Sequence, residues 1–227
     1  SQGDGLSATW WDYNDDGWDD VYVGSDFLNP DYLFHNNGDG TFTDVINEVV
    51  PHTSWFSMGS DAADINNDGL LDFISADMSA TTHYMQKTAM GDMNKLKWAL
   101  ETAQPRQYMR NAFYVNSGTK RFMEMAYLTG LASTNWTWSV KFGDLDNDGW
   151  IDLYVTNGVA RNTIDSDHTL DHEQLVGRHM WDQFRLMPPR LEQNLAYQNR
   201  GDFRFVDVSK NWGLDHLGMS YAAALSD

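Results

Sequence analysis

No cysteine occurs in the 227 residues. That excludes a disulfide framework and leaves the redox compartment open. Basic residues are scarce, 15 Lys plus Arg against 33 Asp plus Glu, so the net charge is −18 and the pI is near 4.4. Nucleic acid and anionic membrane both demand basic surface, so neither is expected as a partner. No apolar run is long enough for a transmembrane helix and no signal-peptide pattern occurs, so direct membrane insertion is not expected. Enzyme signatures are missing too. His172-Glu173 is not followed three residues later by a second His, and neither G-x-S-x-G nor a phosphate loop occurs. No catalytic residue is assigned and no enzyme is expected.

What the chain does have is a nine-residue acidic loop in three copies. Asp12 to Asp20, Asp64 to Asp72 and Asp144 to Asp152 each read D-x-[DN]-x-D-G-x-x-D. Oxygen side chains at loop positions 1, 3 and 5, a glycine at 6 for the sharp turn and a carboxylate at 9 are what a hard cation with six to eight oxygen ligands requires. The expected ion is Ca2+. Its ligands would be Asp12, Asn14, Asp16 and Asp20 in the first loop, Asp64, Asn66, Asp68 and Asp72 in the second, and Asp144, Asp146, Asp148 and Asp152 in the third. The position-7 backbone carbonyls of Trp18, Leu70 and Trp150 complete each set. An EF-hand would place a bidentate Glu at position 12. Val23, Ser75 and Val155 stand there instead, inside short β-rich runs, so each loop is expected to join two strands.

A second repeated element sets the period. Asn36-Asn37-Gly38, Asn116-Ser117-Gly118 and Asn199-Arg200-Gly201 form N-x-G turns, each with a Phe four residues after the glycine and an aromatic two residues before the Asn. That is a hairpin signature. From the Phe to the next loop is 22 residues each time, 42 to 64, 122 to 144 and 205 to 227, which makes Asp227 position 1 of a fourth loop. The predicted unit is four short antiparallel strands, repeated at about 50 residues, the mark of a β-propeller blade. The expected fold is therefore all-β, a partial propeller of about three blades over 1–227, with periods near 12–63, 64–143 and 144–226. Three blades fall short of the four to eight that close a ring. Further blades of a longer parent chain, or a partner chain, are expected to complete it.

The loop-to-loop spacings of 52, 80 and 83 locate extra residues between second and third strands, at 79–110 and 159–192. Both inserts are expected to be helical, through Met93, Leu96 and Leu100 behind a cap at Asp92, and through Val176, Met180 and Phe184; Pro105 and Pro188-Pro189 stop them. Strand connectivity puts the inserts on the face opposite the acidic loops. They are expected to pack into a raised cap through Met85, Met90, Met93, Trp98, Met180, Trp181 and Phe184.

The loops together with the N-x-G-x-x-x-F hairpins resemble FG-GAP/VCBS repeats, the propeller blades also found in integrin α-chain heads. The stretches Gln86 to Gly91, Gln107 to Asn111 and Thr134 to Ser139 are similar to bacterial proteins of the cartilage-acidic-protein-like (ASPIC/UnbV-associated) group. The resemblance implies an extracytoplasmic propeller and no particular reaction. Nine-residue loops without a bidentate Glu fill at the calcium levels found outside cells, so the location is read as extracellular, cell-surface or periplasmic. The function expected is binding, adhesion or scaffolding, with a protein or glycan ligand on the insert face. A glycan-binding lectin and a polysaccharide-active propeller enzyme are the alternatives. Trp10, Trp11, Trp18, Trp136, Trp138, Trp150 and Trp212 are read as blade packing, and Trp55, Trp98 and Trp181 as insert-face residues. His168, Asp171 and His172 fall at helical spacing, where a solvated helix face is expected over a transition-metal site.

Overall fold

The computed structural model describes residues 4–89, 97–168, 176–177 and 179–226. The chain is all-β at its core, built from three four-stranded antiparallel sheets in meander order. In the first sheet, β1 (Gly5–Trp11), β2 (Asp20–Ser25), β3 (Tyr32–Asn36) and β4 (Phe42–Asp44) lie side by side. A short strand β5 (His52–Ser54) follows. The second sheet joins β6 (Ser60–Ala63), β7 (Asp72–Ser75), β9 (Ala112–Val115) and β10 (Met123–Glu124), while β8 (Arg106–Tyr108) pairs in parallel with β5. The third contains β11 (Thr137–Gly143), β12 (Asp152–Asn157), β14 (Leu195–Asn199) and β15 (Phe205–Asp207). Outside it, β13 (Glu192–Gln193) pairs with β16 (Leu217–Gly218).

Each acidic loop joins the first two strands of its sheet, and each N-x-G turn joins the last two. The inserts join second to third strands, at the opposite strand ends, as the spacings require.

The period-2 alternation of strands gives every sheet two apolar faces, and the sheets stack through them. Trp11, Tyr22 and Leu33 of the first sheet meet Phe73, Ala112, Tyr114 and Phe122 of the second. Ile74, Phe113 and Val115, on the other face of the second sheet, meet Val140, Leu153, Val155 and Tyr197 of the third. Tyr22, Leu33, Phe73, Phe113 and Tyr114 are almost wholly buried, each burial contributing about 1.5–3 kcal/mol. At the insert end, a third cluster gathers Trp55, Phe56, Met58, Met78 and Trp136. The outer face of the first sheet is uncovered: Phe42 is 44% exposed, whereas Phe122, its equivalent in the second sheet, is 4% exposed. Among the described residues the sheets stack in series and do not close a ring.

A one-turn helix follows the last strand of every sheet, at Ile46–Val49, Ala126–Thr129 and Ser209–Trp212. An acid two residues ahead accepts from the first helical N–H each time, Asp44 from Ile46, Glu124 from Ala126 and Asp207 from Ser209. Nothing in the apolar periodicity pointed to these turns, because four residues are too few to show a helical period.

Several expectations need correction. Trp11 and Trp136 are buried and Trp138 is partly so, but Trp10 is 59% exposed and Trp18 52% exposed. Trp10 lies edge-on to Phe42 on the uncovered face. Trp55, expected on the insert surface, is core: it stacks on Phe27 and Phe56. Val176 sits in a turn, and the helix of that insert runs Met180–Leu186. The first insert has helices at His83–Thr88 and Lys97–Thr102; Asp92, Met93 and Leu96 lie outside the described residues. The cap does not form through its tryptophans, since Trp98 and Trp181 are 66% and 63% exposed. Instead the inserts meet through a backbone bridge, Ala89 to Asp165, and a hydrogen bond from the Tyr84 hydroxyl to Asp167 Oδ2 of 2.9 Å. Met90 also lies outside the described residues, as do Asp171 and His172, whose expected partner His168 ends a 3-10 turn.

Candidate metal centres in the acidic loops

The three loops share one backbone. Position 4 is left-handed in each, Asp15 at φ 60°, Asn67 at 58° and Asn147 at 59°, and so is the position-6 glycine, Gly17 and Gly69 at 87° and Gly149 at 88°. No neighbour lies within 4 Å of a Cβ built on these glycines, so it is the dihedral that demands glycine. Asp and Asn are the residues that tolerate the left-handed position next to it.

This path wraps main-chain N–H groups around the position-1 carboxylate. Asp12 accepts from Asp16 N at 3.1 Å and Gly17 N at 2.7 Å. Asp64 accepts from Asp68 N at 3.1 Å and Gly69 N at 2.8 Å, and Asp144 from Asp148 N at 3.1 Å and Gly149 N at 2.9 Å. The position-5 carboxylates take the position-7 N–H groups, Trp18 at 3.0 Å, Leu70 at 2.9 Å and Trp150 at 2.9 Å. Each of these carboxylates is thereby held in place with lone pairs to spare.

Position 9 is the anchor. Asp20, Asp72 and Asp152 are fully buried, each tied to its own loop and to its N-x-G turn. Asp20 accepts from Tyr13 N and Asn36 N, Asp72 from Ile65 N and Asn116 N, and Asp152 from Leu145 N and Asn199 N, over 2.7–3.2 Å. Burial pushes all three carboxyls up, Asp72 to about 7, against the downward pull of those N–H groups.

The turn asparagine couples neighbouring sheets. Asn116 Nδ2 donates to Tyr13 O of the first loop at 3.0 Å, and Asn199 Nδ2 to Ile65 O of the second at 2.7 Å. Every loop that has a following sheet is stapled to the turn of that sheet. The position-7 side chain lies over the turn glycine of its own sheet: a Cβ on Gly38 would meet Trp18 at 3.0 Å, one on Gly118 Leu70 at 3.5 Å and one on Gly201 Trp150 at 3.4 Å. These glycines are also left-handed, at φ 70–71°. Trp18 and Trp150 therefore pack on turns, not in the core between sheets.

Asp144, Asp146 and Asp152 each offer an oxygen within 4.8 Å of the others, and this group can hold a metal ion. Oxygens so spaced can surround one ion at about 2.4 Å, inside the calcium range. The all-oxygen donor set fits a hard cation and no soft one. In the first two loops position 3 is Asn, whose amide N–H turns to the position-5 carboxylate at 2.9 Å, Asn14 to Asp16 and Asn66 to Asp68. In the first and third sheets the residue before the turn asparagine adds a contact that the loop pattern alone did not reveal. His35 Nδ1 lies 3.1 Å from Asp20 Oδ1, and Gln198 Nε2 donates to Asp146 Oδ2; Val115 holds the corresponding place in the second sheet. Asp227 lies outside the described residues.

Among the described residues no helix is long and apolar enough to cross a membrane. A comparison with curated proteins finds no match. The FG-GAP-like repeat matches residues 12–75, which hold the first two loops, and 102–155, which hold the second N-x-G hairpin and the third loop. These stretches cover more than half of the chain, which therefore belongs to the FG-GAP-like repeat family.

Proposed function

We propose that the chain is a calcium-binding, extracytoplasmic module of β-propeller type that works by binding or scaffolding. The observation that carries this reading is the shared backbone of the three acidic loops, with the same left-handed positions and the same N–H bonds to the position-1 carboxylate. Turn propensity accounts for one such loop; it does not account for oxygen side chains at the same ligand positions three times. The ligands would be the side chains at positions 1, 3, 5 and 9 and the carbonyls of Trp18, Leu70 and Trp150. Calcium bound there would neutralise the carboxylates and lock each loop to its turn. Loops of this make fill at the high calcium levels outside cells, which is the ground for an extracellular, cell-surface or periplasmic location.

The uncovered face of the first sheet, with Trp10, Tyr32, Phe34 and Phe42, is the counterpart of faces that the second and third sheets bury. Further sheets of the same type, from a longer parent chain or a partner chain, would cover it. The insert face is left for a protein or glycan ligand, since binding concentrates in loops carried on a rigid scaffold. Exposed Tyr84, Trp98 and Trp181 on that face favour the glycan reading.

Calorimetric titration of the metal-stripped protein with calcium tests the central point. Saturable binding of about three ions is expected, and protein that takes up no calcium at millimolar concentration would refute it.

A further inference from the structure

We infer that the second and third acidic loops take up calcium cooperatively, each filled site tightening the other, with Asn67 as the residue that links them. This rests on the reading of the loops as calcium sites. Asn67 stands at position 4 of the second loop, between Asn66 and Asp68, and is not one of the expected ligands. Its side chain leaves its own loop, and Nδ2 donates to Gly149 O of the third loop at 3.1 Å.

That carbonyl controls the third loop's own bonds. Gly149 C=O and Trp150 N–H belong to one planar peptide, and Trp150 N donates to Asp148 Oδ1 at 2.9 Å. Gly149 N, on the other side of the same residue, donates to Asp144 Oδ2 at 2.9 Å. Fixing the carbonyl therefore fixes the N–H that holds the position-5 carboxylate. With no cation, the carboxylates of a loop repel one another at close range, and the closed path costs free energy. Closure of the second loop on an ion fixes the backbone of Asn67 and with it the amide that holds Gly149 O. The third loop then has less to order when its own ion arrives. By linkage the effect runs equally in the other direction.

A comparison within the chain isolates Asn67. A buried route also joins these two loops: Asn199 Nδ2 donates to Ile65 O of the second at 2.7 Å, and Asn199 N to Asp152 Oδ1 of the third at 2.8 Å. The same route joins the first and second loops, with Asn116 Nδ2 donating to Tyr13 O at 3.0 Å and Asn116 N to Asp72 Oδ1 at 2.7 Å. The Asn67 link has no such counterpart. Position 4 of the first loop is Asp15, with the same left-handed backbone at φ 60°, but its carboxylate has acceptors only and cannot donate to Gly69 O, the equivalent of Gly149 O. The two boundaries share their staple and differ in this one donor, so the second and third sites should be coupled more strongly than the first and second.

The test uses the whole chain, stripped of metal and labelled with 15N-glycine, so that the amides of Gly17, Gly69 and Gly149 report the three loops separately by NMR during a calcium titration. Asp68→Ala disables the second loop. It should weaken the third site about fivefold in the unaltered chain, and by no more than about twofold in Asn67→Gly, which keeps the left-handed backbone and removes the amide. Asp15→Asn supplies the missing donor and should bring the coupling of the first and second sites up to the same order. Repulsion between bound ions and the loss of one carboxylate act alike in both backgrounds, so the double-mutant cycle cancels them. Should Asp68→Ala fail to fold, the midpoints of the Gly69 and Gly149 titrations carry the comparison, and Asn67→Gly should move them apart. A coupling factor or a midpoint spacing indifferent to Asn67→Gly, or a first boundary unchanged by Asp15→Asn, would overturn the inference. Glycine amides that ignore calcium altogether remove the calcium reading itself. Amides that follow calcium on curves unaffected by Asn67→Gly remove the coupling and leave the calcium reading standing.

Discussion

Replacing Asn199 by alanine separates the stapling of sheets from ordinary turn formation. Asn199 is 1% exposed, and its side chain makes three hydrogen bonds: Nδ2 to Ile65 O at 2.7 Å, Nδ2 to Ile151 O at 3.1 Å, and Oδ1 from Gly201 N at 3.0 Å. Alanine leaves two carbonyls and one N–H without partners at a place that water reaches poorly. A buried group left unpaired costs about 1–3 kcal/mol, and partial relaxation brings the sum to about 3–4 kcal/mol. Asn36 provides the internal control. It holds the same turn position but donates only to Asp19 O of its own loop, at 3.1 Å, and accepts from Gly38 N, in a half-exposed setting. Asn36→Ala should cost about 1 kcal/mol, the net worth of exposed-side hydrogen bonds. Asn116→Ala, with one inter-sheet bond to Tyr13 O, should fall between them. Urea unfolding at saturating calcium, extrapolated to water, reads all three. Equal losses for Asn36→Ala and Asn199→Ala would refute the staple as a link between sheets.

Three further outcomes are expected. Chelation with EGTA should lower the melting temperature by well over 5 °C, because each loop then holds three or four carboxylates at close range with no cation; a superimposable melting curve would remove the structural role of the metal. Asp146→Asn should weaken the tightest calcium site about tenfold, since the third loop alone has a position-3 carboxylate; calorimetry showing that site unaltered would count against this ranking. Asp31 and Asp77, fully buried away from the loops, are both pushed up to about 7 by burial. Their unfolded value is about 3.9, so their stabilising share is fully present below about pH 4 and is lost as pH rises through 7. That loss is on the order of 4 kcal/mol per group at its limit. Asp31→Asn should flatten the fall in stability between pH 4 and 7, and an unchanged slope would show that Asp31 is ionised throughout.

The loop conformation, the strand order and the placement of the inserts were legible in the linear sequence because each is local. Loop positions 1 to 9 dictate their own dihedrals through Asp, Asn and Gly, and the N-x-G turn closes on itself through the bond of Gly38 to Asn36 and its two counterparts. Alternation within strands shows that every sheet has two apolar faces. It does not show which face has a neighbour, and so Trp10 is solvent-facing while Trp11, one residue on, is core. Trp55 became core only because the cluster with Phe27 and Trp136 assembles from three separate connections. The staple from Asn199 to Ile65 spans 134 residues of chain, and no local period encodes a bond of that reach. A cleft between the inserts belongs to the same class. Ala89 and Asp165, both on its wall, are bridged across the two inserts, and no local pattern encodes that pairing.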